Sequence, residues 1–135
     1  MSLFLLDTNI VSAALRGAPE IDARLSALDG EQWCISAVTR AELRFGVALR
    51  PSAQRLARLV DAFLAVARTA PWDEAAADTH GQVRARLRSN GTPIGDFDEM
   101  IAAHALSLGA TLVTDNVRHF ARIEHLQVEN WLRPA

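Results

Sequence analysis

Four acidic residues stand where a folded chain could bring their oxygens to one cation: Asp7, Glu42, Asp98 and Asp115. Asp7 ends the apolar run LFLL and opens DTNIV, so it lies where a strand gives way to a helix. Asp115 has the same relation to the apolar TLV in TLVTDN. Functional groups gather outside the carboxyl ends of parallel strands in open α/β sheets, so both positions suit a ligand site; both equally suit capping of the following helix. Glu42 falls on a predicted helix whose Val38, Ala41, Phe45 and Leu49 form an apolar stripe, away from Arg40 and Arg44. A carboxylate in such a stripe needs an arginine, a hydrogen-bond network or a metal ion. In DFDEMIAAHALSLG the same geometry sets Asp98 beside Ile101, Ala102 and Ala105 as the inward acid. Asp96 is then expected to cap that helix, and Glu99 to face solvent or the rim of the site.

Carboxylates held together repel one another, by about 4 kcal/mol for a pair ~4 Å apart at an effective dielectric of ~20. They must take up protons or recruit a cation. An oxygen-only set without histidine or cysteine favours Mg²⁺ or Mn²⁺, which retain waters and share their shell with phosphate oxygens. The reaction that follows is phosphodiester hydrolysis by a metal-activated water. Thr8, Asn9, Thr114 and Asn116 flank the acids and are candidates to orient them, although each is equally suited to a cap or turn.

These residues need a scaffold that delivers strand ends to one edge. Short apolar runs alternate with longer helical periods, which predicts an α/β fold with a largely parallel sheet. Strands are expected at Leu3–Leu6, Trp33–Ile35, Arg68–Ala70, Thr111–Val113 and Gln127–Val128. Helices are expected directly after Asp7 with a stop at Gly17, from Pro19 to before Gly30, and after Ser36 towards Leu49. Further helices are expected from Pro51 through the stripe Leu56, Leu59, Val60, Phe63 and Leu64, from Asp73 to Asn90 with Gly81 inside it, and within residues 96–109.

At 135 residues, with half of them hydrophobic and 22% charged, the chain reads as one domain, residues 1–135, with a core that needs no staple. Cys34 is the single cysteine, which fits a reducing, cytoplasmic setting. The N-terminal apolar run is too short for a membrane span and is broken by Asp7. A net charge of −2 gives no global field for nucleic acid, so any such contact must be local. All 14 basic residues are arginine; the missing lysine excludes chemistries that require one.

Together LLDTNI (5–10), AELRFG (41–46), GTPIGDFDEMIAAHALSLGATLVTDN (91–116) and VENW (128–131) resemble the PIN-domain ribonucleases of the VapC toxin type, in order and over nearly the whole chain. The resemblance implies a three-layer α/β/α fold with a central, largely parallel sheet. It implies an endoribonuclease, the toxin of a type II toxin-antitoxin system, that uses Mg²⁺ or Mn²⁺ to cut single-stranded regions of RNA, often tRNA. The family's acids fall on Asp7, Glu42, Asp98 and Asp115, with many relatives carrying asparagine at the last position. It further implies a homodimer and a small VapB-type antitoxin that inserts a segment into the active-site groove.

Alternatives are a catalytically silent PIN module that only binds, and a PIN nuclease acting on DNA. Haloacid-dehalogenase-like phosphatases and receiver domains are excluded by the absent lysine, and P-loop hydrolases by the absent GK[ST]. None of the histidines is expected to be essential, His104 being a core residue and His80, His119 and His125 lacking a shared metal spacing. Arg84 and Arg88 are read as a solvated face, and Trp33, Trp72 and Trp131 as core anchors.

Overall fold

The computed structural model describes residues 2–133. Its elements run β1 (Phe4–Leu6), α1 (Thr8–Leu15), α2 (Pro19–Ser26), β2 (Trp33–Ser36), α3 (Ala37–Leu49), α4 (Gln54–Val66), β3 (Thr69–Ala70), α5 (Glu74–Ser89), α6 (Asp96–Leu108), β4 (Thr111–Val113), α7 (Val117–Phe120) and β5 (Val128–Glu129). The five strands form one sheet in the order β3-β2-β1-β4-β5, every pairing parallel. The chain moves from β1 to one side through β2 and β3, then crosses to the other through β4 and β5. The reversal lies between β1 and β4, the place where open sheets of this kind leave a crevice at the strand ends.

Side-chain alternation divides the core into two layers. Leu5, Cys34 and Leu112 lie on one face of the sheet with α5, α6 and α7, whereas Leu6, Ile35 and Val113 lie on the other with α1, α2, α4 and Leu43 of α3. Register makes this clean, because Leu5 pairs with Cys34 and Leu112, and Leu6 with Ile35 and Val113. A sheet buried on both faces explains why its strands read as unbroken apolar runs. Each fully buried leucine contributes about 1.5–3 kcal/mol. Among the described residues no helix is long and apolar enough to cross a membrane.

Ser36 joins two levels of this structure. Its Oγ accepts from the Val38 amide at 3.0 Å as the N-cap of α3. The same hydroxyl is hydrogen-bonded to Nδ1 of His104, 2.8 Å away, a residue that is 1% exposed. Burial lowers the His104 pKa, opposed by the nearby Asp73 carboxylate and the Pro71 carbonyl. The ring is therefore the core group expected from its apolar helix face. Ser36→Ala removes the cap and strands a buried ring nitrogen, with an expected loss of about 2–4 kcal/mol. Urea denaturation followed by circular dichroism would measure it; a loss below about 0.5 kcal/mol would refute the shared role.

Several expectations need correction. The buried face of α3 is Val38, Thr39 and Leu43, while Phe45 and Leu49 are each 64% exposed. The stripe through Val38, Ala41, Phe45 and Leu49 is thus misread, because α3 turns its polar-looking Thr39 flank to the interior. In α4, Leu59 is 36% exposed and the helix starts at Gln54, after a turn at Pro51–Ser52. Helix α5 runs unbroken through Gly81, capped by Asp73 Oδ1 on the Ala76 amide at 3.0 Å. The short α7 was not expected from the sequence, and β5 lies one residue later than expected.

Candidate active site

Asp7 leaves β1 in extended conformation (φ −68°, ψ 158°), and its Oδ1 accepts from the Thr8 amide at 2.8 Å, capping α1. Its Oδ2 accepts from the Thr114 hydroxyl at 2.8 Å, just beyond β4. Asn9 completes the lock between the two strand ends: its Nδ2 donates to Thr114 Oγ1 at 3.3 Å and its Oδ1 accepts from the Asp115 amide at 3.1 Å. The Asn116 amide also donates to Thr114 Oγ1, at 3.0 Å. Thr8, Asn9 and Thr114 thus hydrogen-bond to Asp7 or to its neighbours across the two strand ends, whereas Asn116 takes part through its backbone and its side chain is exposed.

Glu42 reaches the same region from α3. Its Oε1 accepts from the Thr8 hydroxyl at 2.7 Å, and Thr8 Oγ1 lies 3.1 Å from Thr39 Oγ1. Glu42 does face the site, on the Thr39 and Leu43 flank rather than on the stripe that suggested it. Asp98 arrives from the first turn of α6, with its side chain 38% exposed and its Oδ2 3.1 Å from His119 Nε2.

The electrostatics place three of the acids in one field. Burial pushes the Asp7 carboxyl up from an ordinary 3.8 to about 6; the Thr114 and Thr8 bonds oppose this, and the charges of Asp98 and Glu42 add to it. Burial also raises Asp98, opposed by the charge and hydrogen bond of His119. Asp115 behaves differently. Its Oδ1 accepts from Asn130 Nδ2 and from Arg133 Nε, each at 3.0 Å, and these bonds hold its carboxyl below the usual range.

Of the four expected acids, Asp7, Glu42 and Asp98 thus share one field, whereas Asp115 is engaged by Asn130 and Arg133. Asp115 sits on the flank, turned to the C-terminal residues. Among the described residues no three Asp, Glu, His or Cys side chains stand close enough together to hold a metal ion by themselves. Mg²⁺ does not require one, since it is commonly bound through one or two carboxylates plus waters and substrate phosphates. The donors of Asp7, Glu42 and Asp98 are hard oxygens, and Asp7 is a 4% exposed acid without a cationic partner. The chemistry of these donors is that of a hard divalent ion whose remaining ligands are waters and phosphate oxygens.

Two further readings of α6 change. Gly95 occupies the N-cap position, and Asp96 is an exposed first-turn acid paired with Arg84 Nη1 at 3.2 Å. Glu99 is 2% exposed, with Oε1 3.8 Å from Arg84 Nη1 and without a hydrogen-bond donor. Helix α6 is enclosed by α5 and the sheet together, so a residue one step from the inward stripe is buried too. Arg84 is accordingly an ion-pair partner rather than part of a free solvated face. The sequence set His119 aside as non-essential and drew no attention to Asn130 or Arg133 as single residues. Only the VENW segment, which contains Asn130, offered a signal.

A PIN domain family model matches residues 4–126. The tRNA(fMet)-specific endonuclease VapC of Salmonella typhimurium is 37% identical over 131 residues, which span 97% of this chain and 99% of that protein. Ribonuclease VapC2 of Haemophilus influenzae is 35% identical over 133 residues, spanning 98% of this chain and all (100%) of the relative. The crystal structure of DNA-bound VapBC from Salmonella typhimurium contains a similar chain, with a TM-score of 0.90, 36% identity, and coverage of 97% of this chain and 99% of that one. The chain belongs to the PIN-domain family, in its VapC group.

Proposed function

We propose that this protein is a Mg²⁺- or Mn²⁺-dependent endoribonuclease that hydrolyses phosphodiester bonds in RNA as the toxin of a type II toxin-antitoxin pair. One observation carries the reading: acids from three separate segments meet at the ends of the central strands, where burial lifts the Asp7 carboxyl to about 6 and the charges of Asp98 and Glu42 add to that rise. The names of the similar proteins, among them a tRNA(fMet)-specific endonuclease, support RNA, and tRNA within it, as the substrate.

Asp7, Glu42 and Asp98 would hold the ion, with Asp115 on the flank. When bound, the ion acidifies a water and neutralises charge on the phosphate. The chain's own residues do the positioning. Thr8 and Thr114 fix the Asp7 carboxylate through both oxygens, so it cannot rotate as substrate enters. Thr8 also donates to Glu42, so one residue sets the spacing of two acids. Mapping the 5′ ends of RNA fragments made by the wild type and by Asp98→Asn tests the reading; identical cuts from both proteins would defeat it. Asp115, committed to Asn130 and Arg133, supports the site from its edge. Asp115→Asn is expected to cost about tenfold in cleavage, as outer partners of a metal site commonly do. A loss as large as that of Asp98→Asn would make Asp115 a direct ligand instead.

The partner we infer is a small VapB-type antitoxin, in keeping with the VapBC complexes among similar structures. A groove of about 420 Å³ runs from Thr8 and Glu42 along Leu15, Leu43, Leu56 and Leu59, between α1, α3 and α4. Its apolar wall suits an amphipathic segment laid along it. Leu59→Asp is expected to weaken neutralisation by the antitoxin about tenfold or more while RNA cleavage by the free toxin stays unchanged, since burying a charge without a partner is costly. Equal inhibition of both proteins in a titration with antitoxin would remove the groove from consideration. The exposed Phe45 and Leu49 of α3 supply further apolar surface for the homodimer that the family reading includes.

A further inference from the structure

His119 lies on α7, past the end of β4, and its ring stands edge-on to Phe120 with centroids 5.6 Å apart and planes at 88°. Its Nε2 is 2.7 Å from the Ile94 carbonyl oxygen and 3.1 Å from Asp98 Oδ2. Both neighbours are acceptors, so the ring hydrogen sits on Nε2 and is shared between them. No other hydrogen bond among the described residues joins α7 to residues 94–98. That segment enters α6 through Gly95, whose φ of 103° leaves the turn to be held by its neighbours.

We propose that His119 is a positioning residue of the nuclease site, which fixes the Asp98 carboxylate through Nε2 and so sets the affinity of the acid cluster for its divalent ion. The inference rests on the metal-dependent reading above. With Oδ2 of Asp98 held by the imidazole, Oδ1 is the oxygen left to face the cation. Because α7 follows closely on Thr114, which lies just beyond β4 and holds Asp7, the imidazole ties the placement of Asp98 on α6 to that of Asp7 at the end of β1. Metal-ligating carboxylates need such donors, and their removal typically costs about 10- to 100-fold in metal affinity or activity.

The test measures Mn²⁺ binding by calorimetry, beside RNA cleavage as a function of metal concentration, for wild type, His119→Ala, His119→Gln and Asp98→Asn. His119→Ala is expected to bind Mn²⁺ about 10- to 100-fold more weakly and to regain much of its cleavage at saturating metal. His119→Gln, whose amide N–H reaches a similar place, is expected to recover most of the affinity. Wild-type affinity in His119→Ala would overturn the proposal, as would a glutamine variant no better than alanine. If wild type bound no Mn²⁺, or if Asp98→Asn bound it equally well, the metal-dependent reading itself would fall. That result is distinct from normal wild-type binding left untouched by loss of His119.

Discussion

Asp98→Asn and Asp7→Asn are each expected to lower Mg²⁺-dependent RNA cleavage about a thousandfold with the fold intact. Asparagine keeps the shape of each side chain and removes one negative charge. A unit charge about 4 Å from a unit cation contributes about 4 kcal/mol at an effective dielectric of ~20, and a loss of that size in the transition state is about three orders of magnitude in rate. The burial of Asp7, at 4% exposure, keeps water from replacing the lost charge. For Asp98, whose side chain is 38% exposed, solvent softens the effect, so Asp7 is expected to be the more severe of the two. Single-turnover cleavage of a defined RNA at saturating Mg²⁺ would measure both. Activity within tenfold of wild type in either variant would remove that residue from the cation's shell.

The architecture was legible because a two-sided parallel sheet leaves a simple trace. Leu5 and Leu6 must both be apolar when they enter opposite layers, and the same holds for Leu112 and Val113. The charge that ends each run marks the strand end, so Asp7 and Asp115 could be found without any structure. Helix faces were harder to read. Glu42 was selected for lying among Phe45 and Leu49, which are exposed, and proved inward for another reason: it shares a flank with Thr39, whose polarity disguised a buried position. Glu99 was assigned to solvent or the rim of the site because one stripe was assumed for α6, whereas the helix is packed against both α5 and the sheet. The contacts that His119, Asn130 and Arg133 make with the acids were not legible. Their roles depend on which loop passes which carboxylate, and hydrogen-bond partners 15 to 21 positions away leave no periodic signal.

The metal-free protein is expected to lose stability as pH rises from about 4 to 6, and Asp7→Asn is expected to abolish much of that loss. In the folded state the Asp7 carboxyl holds its proton up to about 6, whereas in the unfolded chain it ionises near 3.8. Between those values the folded state binds a proton that the unfolded state has released, so stability falls with rising pH across the window. A separation of that size amounts to on the order of 3 kcal/mol above pH 6. Asp98, also raised by burial, acts in the same direction; Asp115, held low by Asn130 and Arg133, acts in the opposite one and loses its contribution as pH falls. At pH 7.5 in a chelator, Asp7→Asn should therefore be more stable than wild type by about 1–3 kcal/mol. The lower end allows for the Thr114 hydroxyl, which loses its acceptor when it meets an amide nitrogen while its own lone pairs are already taken by Asn9 and the Asn116 amide. Adding Mg²⁺ should reverse the order, because an ion that binds only the folded wild type stabilises it in proportion to the logarithm of its concentration over Kd. Urea titrations of both proteins at pH 4.5 and 7.5, with chelator and with Mg²⁺, would show the crossing. Parallel behaviour of the two proteins under all four conditions would mean that Asp7 carries no unbalanced charge, and the strongest physical reason for placing a cation beside it would be lost.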